Sequence, residues 1–371
     1  MEKYLLILLA SIFVSCDQNS NPPFVDETAK TLRYLEGKME SEGIPGLQVV
    51  VIKNDEIVLS ENLGLANVPF SVEVEENALF PICSLSKIFA STAILQLAEQ
   101  GKLHVSDSIS KHLSNLPIDW RSISIQQLLS HTSGLPDIED PNGDGLIGGT
   151  GQDSAWVEVQ RMPLEFKAGE EFHYNASNYL LIQKVVEKYA QTSYEEFVKT
   201  NQFDVAAMEQ VVFANSFDVK QNKCPTYVYY YRDESIGEYV KGVNLLETKE
   251  EFPSILWADS GAFSSAKEMA KWVIALQTGK LLTPESIQQM WTPVKLNNGS
   301  YGGFGEGLDR YALGWPVLNR VQHPAVVAVG GGRASLAIYP EDDLAIILLT
   351  NLTGILAHEM TDEISQFFCK K

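Results

Sequence analysis

One thiol, two hydroxyls and one amine fall within five residues, Cys83-Ser84-Leu85-Ser86-Lys87, at the head of a long apolar run. Leu85, Ile88, Phe89, Ala93, Leu95 and Leu97 predict a helix over residues 84–100, with Gly101 as its stop. Ser84 falls in the first turn and Lys87, three residues on, lies on the same face, so the ammonium reaches the hydroxyl. A helix N-terminus carries about half a unit of positive charge, which favours an alkoxide on Ser84. Ser-x-x-Lys is therefore a physically sensible activated nucleophile. Taken alone, the four residues favour the blander reading of Ser84 as a helix cap. Cys83 reads as a small packed hydrophobe rather than a redox group.

The elements that must hold this helix are legible at the two ends of the chain. Ala29, Leu32, Leu35 and Met39 predict a helix over Glu27 to Gly43. Leu47 to Ile52 and Glu56 to Ser60 then read as a hairpin around Lys53-Asn54-Asp55. Ala334 to Tyr339 and Leu344 to Thr350 repeat the pattern around Pro340-Glu341-Asp342-Asp343, before a final helix over Leu356 to Cys369. An α+β fold follows: one antiparallel sheet built from both termini, the terminal helices together on one face. A mostly helical part, about 84–252, is inserted between α/β parts at about 27–83 and 253–371.

The 371 residues carry 28 basic and 48 acidic side chains, a formal charge of −20. That balance repels phosphates and excludes nucleic acid as a partner. The apolar run Tyr4 to Val14 has the length of a signal-peptide core, too short to remain as a membrane span. It ends in Phe13-Val14-Ser15-Cys16, which resembles a bacterial lipobox. Residues 1–16 are thus expected to be an export signal with lipidation at Cys16, and 17–26 a tether to the domain at 27–371. The expected location is the bacterial periplasm or cell surface, with a membrane anchor; an ordinary cleaved signal peptide is the alternative. Cys83, Cys224 and Cys369 are odd in number and far apart, so no disulfide framework is expected. Neither zinc-ligand spacing nor a phosphate loop is present, and no metal or other cofactor is implied.

Longer stretches weigh in favour of chemistry at Ser84. The segment from Ala78 to Lys87 is followed by Gln100-Gly101-Lys102-Leu103 and then by Leu128-Leu129-Ser130-His131-Thr132-Ser133-Gly134-Leu135-Pro136. Ala168-Gly169-Glu170-Glu171-Phe172-His173-Tyr174, Asp259 to Ser265, Leu313-Gly314-Trp315 and Leu348-Leu349-Thr350-Asn351 come after. This order of segments, over about residues 30–370, resembles the serine β-lactamase and penicillin-binding-protein superfamily. The similarity is to the branch of class C β-lactamases, DD-peptidases and related esterases.

The resemblance implies an acylated serine at Ser84, with Lys87 and Tyr174 as general base and proton relay in an order left open. It puts the oxyanion hole at the backbone N–H groups of Ser84 and Gly331, after the third-motif glycine Gly330. Two positions depart from the family pattern. The asparagine of Tyr-x-Asn is Ala176, leaving Asn175 or Asn178 to compensate. The third-motif cation is Ala328, for which Arg333 is a candidate replacement in binding a substrate carboxylate, the alternative being a structural salt bridge. His131 is implied to be structural.

The expected function is hydrolysis of an ester or small amide through an acyl-enzyme on Ser84. A DD-carboxypeptidase or class C-like β-lactamase, anchoring its substrate on Arg333, is the alternative among enzymes. A non-catalytic envelope binding protein is the alternative outside them, which retention of Ser84, Lys87 and Tyr174 disfavours. The oligomeric state is not readable. Asp140-Pro141-Asn142-Gly143-Asp144 has the spacing of half a calcium loop, but position twelve is Gly151 and a solvated turn is the expectation. Tyr227 to Tyr231 reads as a strand that either lines the cleft or packs in a sheet.

Overall fold

A computed structural model describes residues 24–370 apart from 141–144, 150, 234 and 306. Cys16, the export signal and most of the tether lie outside the described residues, as do five of the twelve positions, 141–144 and 150, that have calcium-loop spacing. On either side of positions 141–144, the Asp140 amide donates to the Gly145 carbonyl at 2.7 Å and Glu139 pairs with Leu146.

The alternating apolar residues at both ends build one antiparallel sheet of eight strands. Its order is Val72–Glu73, Glu56–Asn67, Gly46–Lys53, Leu344–Thr350, Ala334–Tyr339, Ala325–Gly330, Pro316–Leu318 and Arg310–Tyr311. The first and last parts of the chain meet at its centre, where Leu47 pairs with Thr350 and Lys53 with Leu344. Every residue of these two central strands is buried. A period of two then sends side chains to opposite faces. Leu47, Val49, Val51, Ile346 and Leu348 meet the terminal helices Val25–Glu42 and Ala357–Phe368 through Leu35, Met360 and Ile364. Val50, Ile52, Ile347 and Leu349 face the other way, onto Met269, Ala270 and Val273 of helix Ala266–Gln277. Each such side chain withdrawn from water stabilises the fold by roughly 1.5–3 kcal/mol.

The second layer surrounds helix Lys87–Glu99, in which every residue from Lys87 to Leu97 is buried. A helix apolar on all sides belongs in a core. This one packs among helices Ala176–Ala190, Pro284–Trp291 and Tyr194–Val198. Not all of the inserted part is helical. Thr226–Asp233 and Glu238–Thr248 form a two-stranded ribbon, as the β-branched and aromatic residues there favour. Tyr227 and Tyr229 in it pack structurally, their hydroxyls meeting the Val68 amide and the Gly43 carbonyl. Tyr239 and Thr248, from the opposite strand, are the ones that reach the cleft described below. The three cysteines among the described residues are free thiols. No helix among these residues is long and apolar enough to cross a membrane.

Candidate active site

Ser84 sits in a short 3₁₀ turn, Cys83–Ser86, immediately before the buried helix that begins at Lys87. In 3₁₀ geometry residues three apart eclipse each other, and Lys87 Nζ lies 3.1 Å from Ser84 Oγ. The helix expected from Ser84 therefore starts three residues later, and the tighter turn aligns the pair. Cys83 enters this turn at φ +48°. Its thiol is buried and pushed up to about 11, chiefly by that burial, so it is no competing nucleophile.

Lys87 is 1% exposed, with its Nζ 2.7 Å from Asp259 Oδ1 and 3.2 Å from the Asp259 carbonyl oxygen. The Tyr174 ring covers the same ammonium at 4.5 Å from its centroid. Burial and the charge of Asp259 push the Tyr174 phenol well above its ordinary range, while its hydrogen bond with Ser84 works in the opposite direction. Tyr174 is therefore held as a phenol. The His131 ring lies tilted against it, 4.2 Å between centroids, and accepts the Asn175 amide on Nδ1 at 3.2 Å. Burial first, and the Lys87 charge second, hold His131 well below its ordinary range. It is a neutral positioning ring, as the resemblance implied.

Strand Ala325–Gly330 closes the site from the other side. Its pairing with Pro316–Leu318 involves only Ala325 and Val326, and its far end packs against the 83–86 turn. A Cβ on Gly330 would fall 2.1 Å from the Ile82 carbonyl oxygen. Gly331 has φ +54°, and a Cβ there would lie 2.8 Å from Cys83 Sγ. Both positions need glycine for the strand to approach the nucleophile. Ser84 and Gly331 line one cavity of about 660 Å³.

Two residues assigned to substrate binding are otherwise engaged. Arg333 is 1% exposed and forms a bidentate pair with Glu250, at 2.5 Å and 2.6 Å. Its remaining contacts go to Thr226 Oγ1 and the Gly331 carbonyl. The guanidinium braces the loop after Gly330, so the expectation that it anchors a substrate carboxylate is corrected. Asn175 caps helix Ala176–Ala190: its Oδ1 accepts from Asn178, and its Nδ2 donates to the Leu135 carbonyl at 2.8 Å. Asn178 is fully buried and bound to Ser133 and His131. Neither amide is free to replace the one missing at Ala176.

Sequence reasoning missed the carboxylates of the cleft. Asp137, Glu139, Asp140, Glu250, Glu251 and Asp259 line the cavity, with Lys249 as the one basic residue on its wall among the described residues. The Asp137 carboxylate accepts the Ala176 amide at the start of its helix, yet burial raises it above the ordinary range. Glu139 is pushed up to about 7 by the surrounding cleft walls and by Asp259 and Asp137, against the pull of Lys87. The acidic run at 137–140, directly after Gly134-Leu135-Pro136, was the available signal.

An antiparallel sheet over a buried helix, with a serine, a lysine and a tyrosine meeting at the edge between them, defines a serine acyl-transfer fold. The chain belongs to the family described as Beta-lactamase, whose model matches residues 32–365. It is 24% identical over 343 residues to the protein flp of Staphylococcus aureus strain MW2, which covers 89% of this chain. The chain spans only 64% of the length of that relative. A penicillin-binding protein from Bacillus halodurans has a similar structure, with TM-score 0.70, 25% identity and coverage of 90% of this chain and 99% of its own. D-amino acid amidase from Ochrobactrum anthropi SV3, solved with L-phenylalanine amide, has TM-score 0.77 at 18% identity, covering 92% of this chain and 98% of its own. At that identity the second likeness concerns the fold.

Proposed function

We propose that this chain hydrolyses esters or small amides by forming and then releasing an acyl-enzyme on Ser84. The observation that carries this reading is the convergence of Ser84 Oγ, Lys87 Nζ and the Tyr174 phenol at one cleft. Ser84 attacks the carbonyl carbon, the backbone N–H groups of Ser84 and Gly331 receive the developing oxyanion, and Tyr174 protonates the leaving group. Water then cleaves the acyl-serine by the reverse proton path.

The charge of the cleft supports acyl groups that are neutral or cationic. With Arg333 paired to Glu250 and Ala328 at the third-motif position, the guanidinium that a β-lactam or peptidoglycan carboxylate would seek is already neutralised. Matched p-nitrophenyl esters ending in trimethylammonium, methyl or carboxylate test this. The expected order of kcat/KM is cationic, neutral, anionic, with at least tenfold between the extremes, about 1.4 kcal/mol, and the spread shrinks with salt. Because Glu139 is pushed up to about 7, KM for the fixed-charge cationic ester is expected to fall from pH 6 to pH 8, and Glu139→Gln to flatten that fall. Preference for the carboxylate ester, or turnover of nitrocefin, would favour the penicillin-directed reading instead.

The leader-like run and Cys16 support an exported enzyme tethered to a membrane by lipid. Cells expressing the full chain should incorporate labelled palmitate into it, and Cys16→Ser should abolish the label. Label retained in that variant would refute the anchor.

A further inference from the structure

Ser84 cannot be activated until its proton has somewhere to go, and the groups around Lys87 narrow the destinations. Three oxygens surround Nζ: Ser84 Oγ at 3.1 Å, the Asp259 carbonyl at 3.2 Å and Asp259 Oδ1 at 2.7 Å. The rings of Tyr174 and Tyr179 close over it at 4.5 Å and 5.2 Å. Three acceptors and two aromatic rings are the surroundings of an ammonium. An ammonium has no lone pair with which to take the Ser84 proton. Tyr174, a phenol for the reasons given above, has no negative charge with which to take it either.

Asp259 is the remaining group. It is 6% exposed, and its Oδ1 meets Lys87 as an ion pair with no aligned hydrogen-bond partner of its own among the described residues. Of the three oxygens around Nζ, this carboxylate oxygen is the one whose group takes up a proton and becomes neutral, and at 2.7 Å it lies within direct transfer reach. The residue lines the same cavity as Ala176, where the second motif has lost its amide.

We propose that Asp259 is the positioning residue of this site, orienting Lys87 beneath Ser84 and accepting the proton that Lys87 must release before it can act as base. In the step, one Nζ–H proton moves to Asp259 Oδ1, and the Ser84 hydroxyl proton replaces it on Nζ. Ser84 Oγ bonds to the substrate carbonyl carbon, whose π electrons move to the oxyanion. On collapse the carbon–leaving-group bond breaks, Tyr174 donates its proton to the leaving group and is reprotonated by Lys87. Lys87 recovers its proton from Asp259, and the charges return to their starting places. The proposal rests on Ser84 as the nucleophile.

The test compares Asp259→Asn, Asp259→Ala and Asp259→Glu with native protein and Ser84→Ala, using p-nitrophenyl acetate and a fluorophosphonate probe. Asp259→Asn is expected to lower kcat and the labelling rate about 10²- to 10³-fold, a size typical of lost acid–base function, with KM changed by less than about threefold. Asp259→Glu should regain at least about tenfold over Asn, and added formate should restore turnover to Asp259→Ala in a saturable way but not to Ser84→Ala. If Asn does not fold, Asp259→Ser carries the same formate test. Native-like kcat in folded Asp259→Asn, or losses that neither Glu nor formate relieves, would overturn the proposal. Activity surviving in Ser84→Ala would instead overturn the nucleophile reading beneath it.

Discussion

Ser84→Ala is expected to abolish ester hydrolysis, lowering kcat by at least about 10⁴-fold while the protein remains folded and still binds substrate. The size follows from the way catalytic units fail: removing the nucleophile leaves only binding and oxyanion stabilisation, and the loss in kcat is comparable to removing the whole unit. Lys87→Ala should fall nearly as far, and the double variant should be no slower than Ser84→Ala, because both act in one step. The hydroxyl occupies a partly exposed position in a short turn, so its loss has little effect on packing. Lys87 is different, since removing it leaves the buried Asp259 carboxylate without its counter-ion. Lys87→Ala should therefore also lower thermal stability, and Ser84→Ala should not. Stopped-flow acylation together with thermal melting separates the two. Independent, additive losses in the double variant would contradict a shared proton path.

The second large effect concerns stability. Glu250→Ala removes the bidentate partner of a guanidinium that is 1% exposed. Breaking a fully buried ion pair costs about 3–5 kcal/mol; because the Glu250 side chain is 33% exposed, water reduces this to roughly 2–3 kcal/mol. At about 2 °C per kcal/mol for a chain of this size, Tm falls by roughly 4–6 °C. Arg333→Met, which removes the charge and keeps the volume, should cost less than Glu250→Ala, since it leaves no buried unpaired cation. Activity gives a sharper distinction. Arg333 braces the Gly331 carbonyl and not a substrate, so Arg333→Met should slow anionic and neutral esters by the same factor. Selective loss on the anionic ester would restore Arg333 as a carboxylate anchor.

Local spacing made part of this molecule readable. Ser84 and Lys87 are three residues apart, so their meeting needs only a helical turn, and the hairpins around 53–55 and 340–343 declare themselves through alternation and turn residues. The sheet built from both termini followed from those hairpins. Residues whose roles depend on partners distant in sequence did not declare themselves. Arg333 looked available until Glu250, 83 positions away, was seen to hold it. Asn175 looked like a displaced amide, but its contacts with Asn178 and Leu135 make it a helix cap. Asp259 carried no legible role, because its contact with Lys87 spans 172 positions. The 3₁₀ start of the nucleophile turn was likewise hidden, since an apolar pattern specifies a buried helix without fixing the geometry of its first turn.

Nucleophilic attack by Ser84 is tested most directly by locating the covalent bond. Native protein quenched in acid during turnover of a p-nitrophenyl ester, then digested and mapped by mass spectrometry, should carry one acyl group. The account predicts that group on the peptide containing Cys83-Ser84-Leu85-Ser86-Lys87, with fragment ions placing it on Ser84 and none in Ser84→Ala. An acyl group on Cys83, Ser86 or any residue outside this turn would contradict it.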